Sequence, residues 1–208
     1  MSKLNAPPLS LRNMRFPGDA AAVFLNPPAM ETERLRLRKL RMRDAKDIHA
    51  WSSDPEVARY VLWDAHTSLG ETRNYVRYVR RLYRKGLPSS WGIELKESGR
   101  VIGTIGIMSW MPDNRCAEVG YSLGRTWWHQ GYAAEALACL MNLLFDRMEV
   151  HRVEGMCDVR NPDSGRVMEK CGMKREGILR GRVFNKGEWV DAVLYAALAE
   201  DRETEKQA

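Results

Sequence analysis

The stretch Glu118-Val-Gly-Tyr-Ser-Leu-Gly-Arg-Thr-Trp-Trp-His-Gln-Gly-Tyr-Ala-Ala-Glu-Ala136 limits what this chain can fold into more than any other part of it. Its first residues read as a strand that ends at Leu123, a short loop holding Gly131 and Ala133 follows, and the run Tyr132 to Phe145 is then apolar on nearly every side. A helix with Ala133, Ala134, Ala136, Leu137, Cys139, Leu140, Leu143 and Leu144 spread around it has little surface fit for water, so it must lie against a sheet and be largely covered. Where loop meets helix, small residues let a ligand approach the backbone, and the helix start adds unpaired N–H donors and the positive end of its dipole. That is a place for a phosphate group. The loop lacks G-x-x-x-x-G-K-[ST] and has no lysine beside it, which argues against nucleoside triphosphate hydrolysis. G-x-G-x-x-G is also missing, which argues against a Rossmann site.

The remaining segments supply the sheet. From Arg34 the alternation Arg-Leu-Arg-Leu-Arg marks a strand with one buried face, and Asp44 opens a short helix on which Ala45, Ile48 and Ala50 or Trp51 can share a side. Ser68-x-x-Glu71 fits a capping box, so a second helix is predicted from Leu69. On it Tyr75, Tyr78, Val79 and Leu82 gather on one face and Arg73, Arg77, Arg80 and Arg84 on another, with no acidic residue from 72 to 85. That stripe is either a solvated face or a contact for an anionic partner. Trp91–Lys96, Val101–Met108 and Ala117–Leu123 are short β-rich runs that predict an antiparallel meander. Arg152–Val159 reads as a strand, Ser164–Lys170 as a helix stopped by Gly172, and Met173–Phe184 with Trp189–Leu198 as a hairpin across Asn185-Lys186-Gly187. The expected class is α/β, a single mixed and largely antiparallel sheet flanked by helices.

A chain of 208 residues with 44% hydrophobic and 29% charged residues supports one core with tails. Residues 1–30, with Pro7, Pro8, Pro17, Pro27 and Pro28, are expected to form an extended or poorly ordered arm outside the catalytic core; 31–198 form the domain and 199–208 a tail. No window approaches the roughly 18 uninterrupted apolar residues of a membrane span, and the arm has no secretory h-region. A net charge of +6 favours anionic partners only mildly. The four cysteines, Cys116, Cys139, Cys157 and Cys171, have no C-x-x-C spacing; the expectation is no metal and reduced thiols in the cytoplasm.

The strand-loop-helix segment, followed in order by Asn161-Pro-Asp-Ser164 and Glu169-Lys-Cys-Gly172-Met, resembles the acetyl-CoA site of the GCN5-related N-acetyltransferases (GNAT). Glu31-Thr-Glu-Arg-Leu-Arg-Leu-Arg38 is similar to the opening strand of the branch that holds the ribosomal-protein N-terminal acetyltransferases. The likeness runs from about Glu31 to about Leu198. The family's phosphate loop is Gln or Arg, two residues, Gly, one residue, then Gly or Ala. Here it aligns with Trp128-His129-Gln130-Gly131-Tyr132-Ala133, with Trp where the family has a polar residue.

The resemblance implies acetyl-CoA lying in a V-shaped opening between two central strands. The backbone of Trp128, His129, Gln130, Gly131, Tyr132, Ala133 and Ala134 would take the pyrophosphate, and Tyr121, Ser122 and Leu123 the pantetheine arm, with Asn161 and Ser164 on its amides. It implies direct attack of a primary amine with Glu118 as candidate base, and Ser164 or Tyr121 as the candidate acid for the leaving thiolate. Ser164 also reads as a helix cap. The family builds its acceptor groove from segments matching residues 54–67, with Tyr60 and Trp63, and the turn between Val183 and Glu188. The expected acceptor is the N-terminal α-amine of a protein, possible ribosome association included. The alternatives are a small-molecule amine (polyamine, amino acid, antibiotic) or a non-catalytic acyl-CoA-binding module. The chain is expected to be a monomer or a homodimer.

Overall fold

The structure, a computed structural model, describes residues 20–205, with side chains through 202. Eight strands form one sheet: β1 (Met30–Glu31), β2 (Leu35–Arg38), β3 (Ser90–Leu95), β4 (Val101–Met111), β5 (Cys116–Leu123), β6 (Arg152–Asp158), β7 (Lys174–Asn185) and β8 (Glu188–Leu198). Their order is β1-β2-β3-β4-β5-β6-β8-β7, and every neighbouring pair is antiparallel except β5 with β6. The helices are α1 (Ala20–Leu25), α2 (Ala45–Ser52), α3 (Pro55–Ala58), α4 (Leu69–Lys85), α5 (Tyr132–Asn142), α6 (Pro162–Lys170) and α7 (Ala199–Glu205). No helix among the described residues is long and apolar enough to cross a membrane.

Val101 and Ile102, consecutive on β4, enter different apolar clusters, as alternation across a strand requires. The larger cluster joins Leu35, Leu37, Trp91, Ile93 and Ile105 to Leu137, Leu140 and Leu144 of the apolar helical run. The smaller one packs Ile48 and Trp51 of α2 against Val76, Val79 and Tyr83 of α4. The apolar run is not one uniform helix, because α5 ends at Asn142 and Leu143–Arg147 continue as a π-helical turn that buries Leu143, Leu144 and Phe145.

Four expectations are corrected here. Residues 1–30 were expected to be an extended arm outside the core; residues 1–19 lie outside the described part, but Ala20–Leu25 is a helix whose Val23 and Phe24 are 0% and 6% exposed in the main cluster. Pro28 is tied in as well, its carbonyl accepting from Trp91 Nε1 at 2.8 Å. The expected tail from 199 begins as α7, where Arg202 binds Asp146 at 2.9 Å. The face of α4 turned into the core is Thr72, Val76, Val79 and Tyr83; of the predicted apolar face only Val79 is buried. The cap of α4 is also shifted. Ser68 Oγ accepts from Glu71 N at 3.2 Å as expected, but the Glu71 carboxylate accepts from Thr67 N, one residue before the cap.

Candidate active site

Pairing of β5 with β6 runs from Cys116–Arg152 to Val119–Gly155 and stops there. β5 continues to Leu123, still paired with β4 through Gly103–Leu123, while β6 continues to Asp158 on the β8 side. One edge of Gly120–Leu123 is therefore left without a strand partner, and the two strands bound an opening that widens toward α5 and α6. This is the V-shaped gap that the resemblance implies.

At its wide end the loop 128–131 turns into α5. Gly131 has φ +82° and His129 φ +58°, two left-handed residues that swing the chain into the helix. Within the protein, a Cβ on Gly131 would meet only Arg34 Nη2, at 3.4 Å, so glycine answers here to conformation more than to crowding. The first bond of the helix is Glu135 N to Gly131 O at 3.0 Å; the amides of Gly131, Tyr132, Ala133 and Ala134 precede it and have no acceptor inside the helix. The loop is fixed from β2 and its approach. Arg34 binds Glu135 at 2.6 Å and Gln130 O at 3.0 Å, and its guanidinium lies 4.3 Å from the Tyr132 ring centre. Burial works against the Glu135 charge, but the bonds from Thr32 Oγ1 and Arg34 outweigh it and hold its carboxyl below the usual range. Sequence reasoning missed this pair. Arg34 stood in an alternating strand pattern and Glu135 in a helix, with nothing local to join them.

Trp128, the departure from the family pattern, donates from Nε1 to Leu123 O at 2.7 Å and so staples the loop to the end of β5. That bond and the pairing with β4 engage Leu123's main chain, leaving Tyr121 and Ser122 as the freer lining of the opening. Across the gap, Asn161 is the cap of α6, its Oδ1 accepting from Ser164 N at 3.4 Å. Ser164 lies inside the first turn and is not the cap. Its Oγ is instead 3.0 Å from Tyr121 Oη, which also donates to Ser164 O at 2.8 Å. Burial pushes the Tyr121 phenol above its ordinary range, against the pull of the Ser164 bond. A groove of about 390 Å³ holds Tyr121, Ser122, Leu123, Trp128, His129, Gly131–Ala134, Asn161 and Ser164 together; Arg166 and Lys170 of α6 line it too, one turn apart, a spacing that is the one sign of them in the sequence. Of the expected loop residues, only Gln130 is outside this lining, its side chain bonding back to Thr126 O.

A second cleft of about 450 Å³ shares Tyr60, Val61, Tyr121, Ser122, Asn161 and Ser164 with the first, so the two are continuous. It is lined by Tyr60 and Trp63, by Tyr75, Tyr78 and Leu82 of α4, by Val183 and Asn185 of β7, and by Glu118 and Asp158. The apolar face of α4 that the periodicity gathers, Tyr75, Tyr78, Val79 and Leu82, thus lines this cleft. The two ends of its rim are tied by Lys186, at the turn between β7 and β8, whose Nζ donates to the carbonyls of Ala58, Val61 and Trp63 at 2.7, 2.8 and 3.2 Å. No local signal marked this lysine beyond its place in the turn.

The two carboxylates differ. Asp158 takes Arg160 Nε and Nη2 at 2.9 and 2.7 Å, which holds it below the usual range. Glu118 makes no hydrogen bond or ion pair among the described residues. Burial pushes its carboxyl up, Glu154 beside it on β6 adds to this, and Arg182 pulls weakly the other way. Among the described residues no group of three or more His, Cys, Asp or Glu is placed to hold a metal, and all four cysteines are free.

The model of the acetyltransferase (GNAT) domain matches residues 34–174, most of the chain and both clefts' central elements. The chain belongs to the GNAT acetyltransferases. It is 32% identical over 167 residues to the uncharacterized N-acetyltransferase p20 of Bacillus licheniformis, covering 80% of this chain and 94% of that one. The ribosomal-protein-serine acetyltransferase of Escherichia coli is 30% identical over 132 residues, 64% of this chain and 73% of the relative. A GNAT acetyltransferase crystal structure from Bacillus anthracis superposes with a TM-score of 0.75 at 28% identity, covering 83% of this chain and 99% of that one. This GNAT enzyme transfers acetyl groups, and acetyl-CoA is its co-substrate. The free amides of Gly131–Ala134 and the bare edge of β5 fit that co-substrate, since a pyrophosphate needs donors and a pantetheine arm needs strand-like partners.

Proposed function

We propose that the protein acetylates the N-terminal α-amine of a protein, with Glu118 as proton acceptor and the Tyr121–Ser164 pair on the side of the departing thiol. The observation that carries this reading is the contrast inside the second cleft: Asp158 is neutralised by Arg160, whereas Glu118 is half-buried, unpartnered and raised toward neutrality. A carboxylate that ionises closer to neutral pH is the better match for a base that must accept a proton from an ammonium. Acetyl-CoA supplies an acyl group activated on sulfur when bound. The amides of Gly131, Tyr132, Ala133 and Ala134 would hold its phosphates, and the free edge of Gly120–Ser122 its amides. An N–H on that edge is also placed to polarise a carbonyl, as an oxyanion hole does. Tyr121, its phenol pushed above the ordinary range, keeps its proton, and turning that O–H from Ser164 O toward the sulfur would give the departing thiolate a donor while Ser164 Oγ stays within hydrogen-bond distance of the phenol oxygen.

A protein terminus as acceptor is supported by the ribosomal-protein-serine acetyltransferase among the relatives, and by a cleft, rimmed by 58–64 and the β7–β8 turn, that runs on into the first groove. Such an acceptor would bring the enzyme to ribosomal proteins. Mass spectrometry of products from a panel of ribosomal-protein N-terminal peptides, polyamines, amino acids and aminoglycosides tests this. Acetylation of an α-amine in at least one peptide, faster than in any small amine, is the expected result. Turnover of small amines with none of peptides would refute the acceptor assignment and leave the acetyltransferase activity standing.

A further inference from the structure

The side of α4 away from the second cleft borders a different groove, of about 660 Å³, closed on its other side by residues 38–41. Arg41, Arg77, Arg80, Arg81 and Arg84 face it, with Lys39 at the edge. We propose that this groove binds the phosphodiester backbone of RNA.

The argument begins with charge. Ten other arginines of the chain are paired with carboxylates, among them Arg36 with Glu31, Arg152 with Glu176 and Arg160 with Asp158. Around this groove none of the five exposed guanidiniums has a carboxylate within ion-pair distance among the described residues; Arg77 binds only Asn74 Oδ1 at 2.6 Å, and Lys39 only Asn26 Oδ1 at 2.7 Å. Among the described residues no acidic side chain lines it, and the two carboxylates bound to its lining residue Arg38 are taken up there, Asp44 at 2.7 Å and Glu94 at 2.5 Å. The segment before α1 offers no remedy, for residues 1–19 hold Lys3, Arg12 and Arg15 against Asp19 alone. Like charges three and four residues apart on a helix destabilise it, and an external polyanion relieves that cost.

Shape and composition narrow the partner. Arg77 to Arg84 spans seven residues, roughly 10 Å along the helix, and Arg41 stands across the groove, so the cations form two rows rather than one nest around a single ion. The apolar side chains Leu40 and Tyr83 are buried, and Tyr83 Oη is occupied by Leu40 N and Ser90 O. Pro27 and Ala29 complete the apolar lining, so among the described residues the groove offers no aromatic face on which a base can stack and no large exposed apolar side chain to anchor a protein partner. What is left is contact with a line of phosphates. Because Tyr75, Tyr78 and Leu82 on the same helix line the second cleft, a strand lying in the groove would run about one helix diameter, roughly 10 Å, from where the acceptor is proposed to enter. The choice of RNA over DNA rests on the protein-acceptor reading above; the phosphate contact does not.

Fluorescence anisotropy with a labelled 20-nucleotide single-stranded RNA, in the absence of any acceptor, tests the proposal. Five neutralised phosphates predict that log Kobs falls against log salt with a slope of about −3 to −4. Arg77→Glu with Arg80→Glu should weaken binding at least tenfold at 50 mM salt and bring the slope to about −2, while Arg77→Lys with Arg80→Lys retains most of both. Circular dichroism checks that the variants are folded. No RNA binding, or the same affinity and slope in the reversed variant, would overturn the proposal. Displacement of the RNA by polyglutamate of equal charge as effectively as by unlabelled RNA would also overturn it, in favour of an acidic protein partner. Equal affinity for DNA of the same sequence would keep the groove and remove the RNA assignment. Peptide turnover plays no part in these readouts, so a failure of the acceptor reading would be seen separately.

Discussion

Lys186 offers the sharpest test of how the second cleft is built. Its Nζ sits 2.7 to 3.2 Å from three carbonyls, those of Ala58, Val61 and Trp63, so all three ammonium donors are used on one short segment. Lys186→Met keeps the length of the stem and removes only the head. The backbone there is left-handed, φ +50°, and both residues are L-amino acids with a Cβ, so the substitution adds no new strain of the kind a glycine replacement would. Hydrogen bonds from a charged donor are worth about 1.5–3 kcal/mol each when buried. This side chain is 35% exposed and water can replace some of the lost bonds, so the whole tether is discounted to about 1–2 kcal/mol. If the acceptor binds only while the rim is tied, that loss raises its KM about 5- to 30-fold. The Kd for acetyl-CoA, whose proposed groove shares Arg59, Tyr60 and Val61 with the rim but not Lys186, should move less than about threefold, and Tm should fall by about 2–8 °C. Steady-state kinetics with a peptide acceptor and calorimetry with acetyl-CoA read these separately. Lys186→Arg should rescue only in part, because a flat guanidinium cannot aim three tetrahedral donors at three converging carbonyls. An unchanged acceptor KM in folded Lys186→Met would refute the reasoning.

Gly131→Glu puts a side chain at φ +82° and a negative charge where pyrophosphate is expected; calorimetry should show acetyl-CoA binding lost, together with the thermal shift that about 100 Kd of ligand gives the wild type. Glu118→Gln should lower kcat on the order of 10² to 10⁴-fold. Since burial raises the Glu118 pKa, wild-type activity is lost as pH falls through a value above the usual carboxylate range, and this acid limb should vanish in the variant; because ionising a buried carboxyl opposes folding, Tm at pH 7 should not drop. Tyr121→Phe should reduce kcat more than Ser164→Ala, which leaves the phenol its bond to Ser164 O; the reverse order, measured at saturating acetyl-CoA, would make Ser164 the donor. Phe24→Ala should cost about 3–5 kcal/mol in a urea titration, because this ring is 6% exposed and meets Trp110 at 6.0 Å.

What was legible in the sequence is what depends on neighbours along the chain. The β7–β8 hairpin followed from Lys186-Gly187, both at positive φ as a two-residue turn between twisted strands demands, and α5 followed from its apolar run. The helix α1 stayed hidden because five prolines were weighed over the whole arm, while Ala20–Leu25 is a proline-free stretch between Pro17 and Pro27. Alternation rightly placed Leu35 and Leu37 inward and Arg36 outward, yet Arg38 is 5% exposed, because Asp44 and Glu94 arrive from other elements to compensate its charge. The site shows the same division. The motif residues were visible one at a time, whereas Arg34–Glu135, 101 residues apart, and Lys186–Ala58, 128 apart, exist only once the sheet is assembled.

That division has a physical root in the sheet itself. A strand in the middle of a sheet must have both edges paired or otherwise satisfied, and β5 satisfies only one beyond Val119. The gap is bridged by ties from the surrounding elements in place of a strand ladder: Trp128 holds the loop to Leu123 at the end of β5, Arg34 holds it to β2, Asn161 caps α6, and the Tyr121–Ser164 bonds join the two walls. Each tie crosses the opening or its rim without filling it. The backbone donors and acceptors left over are then those a ligand with amides and phosphates can meet, so the candidate site is the place where the fold leaves its own hydrogen bonding incomplete, and it is the contacts holding it open, not the residues that make them, that the local sequence could not announce.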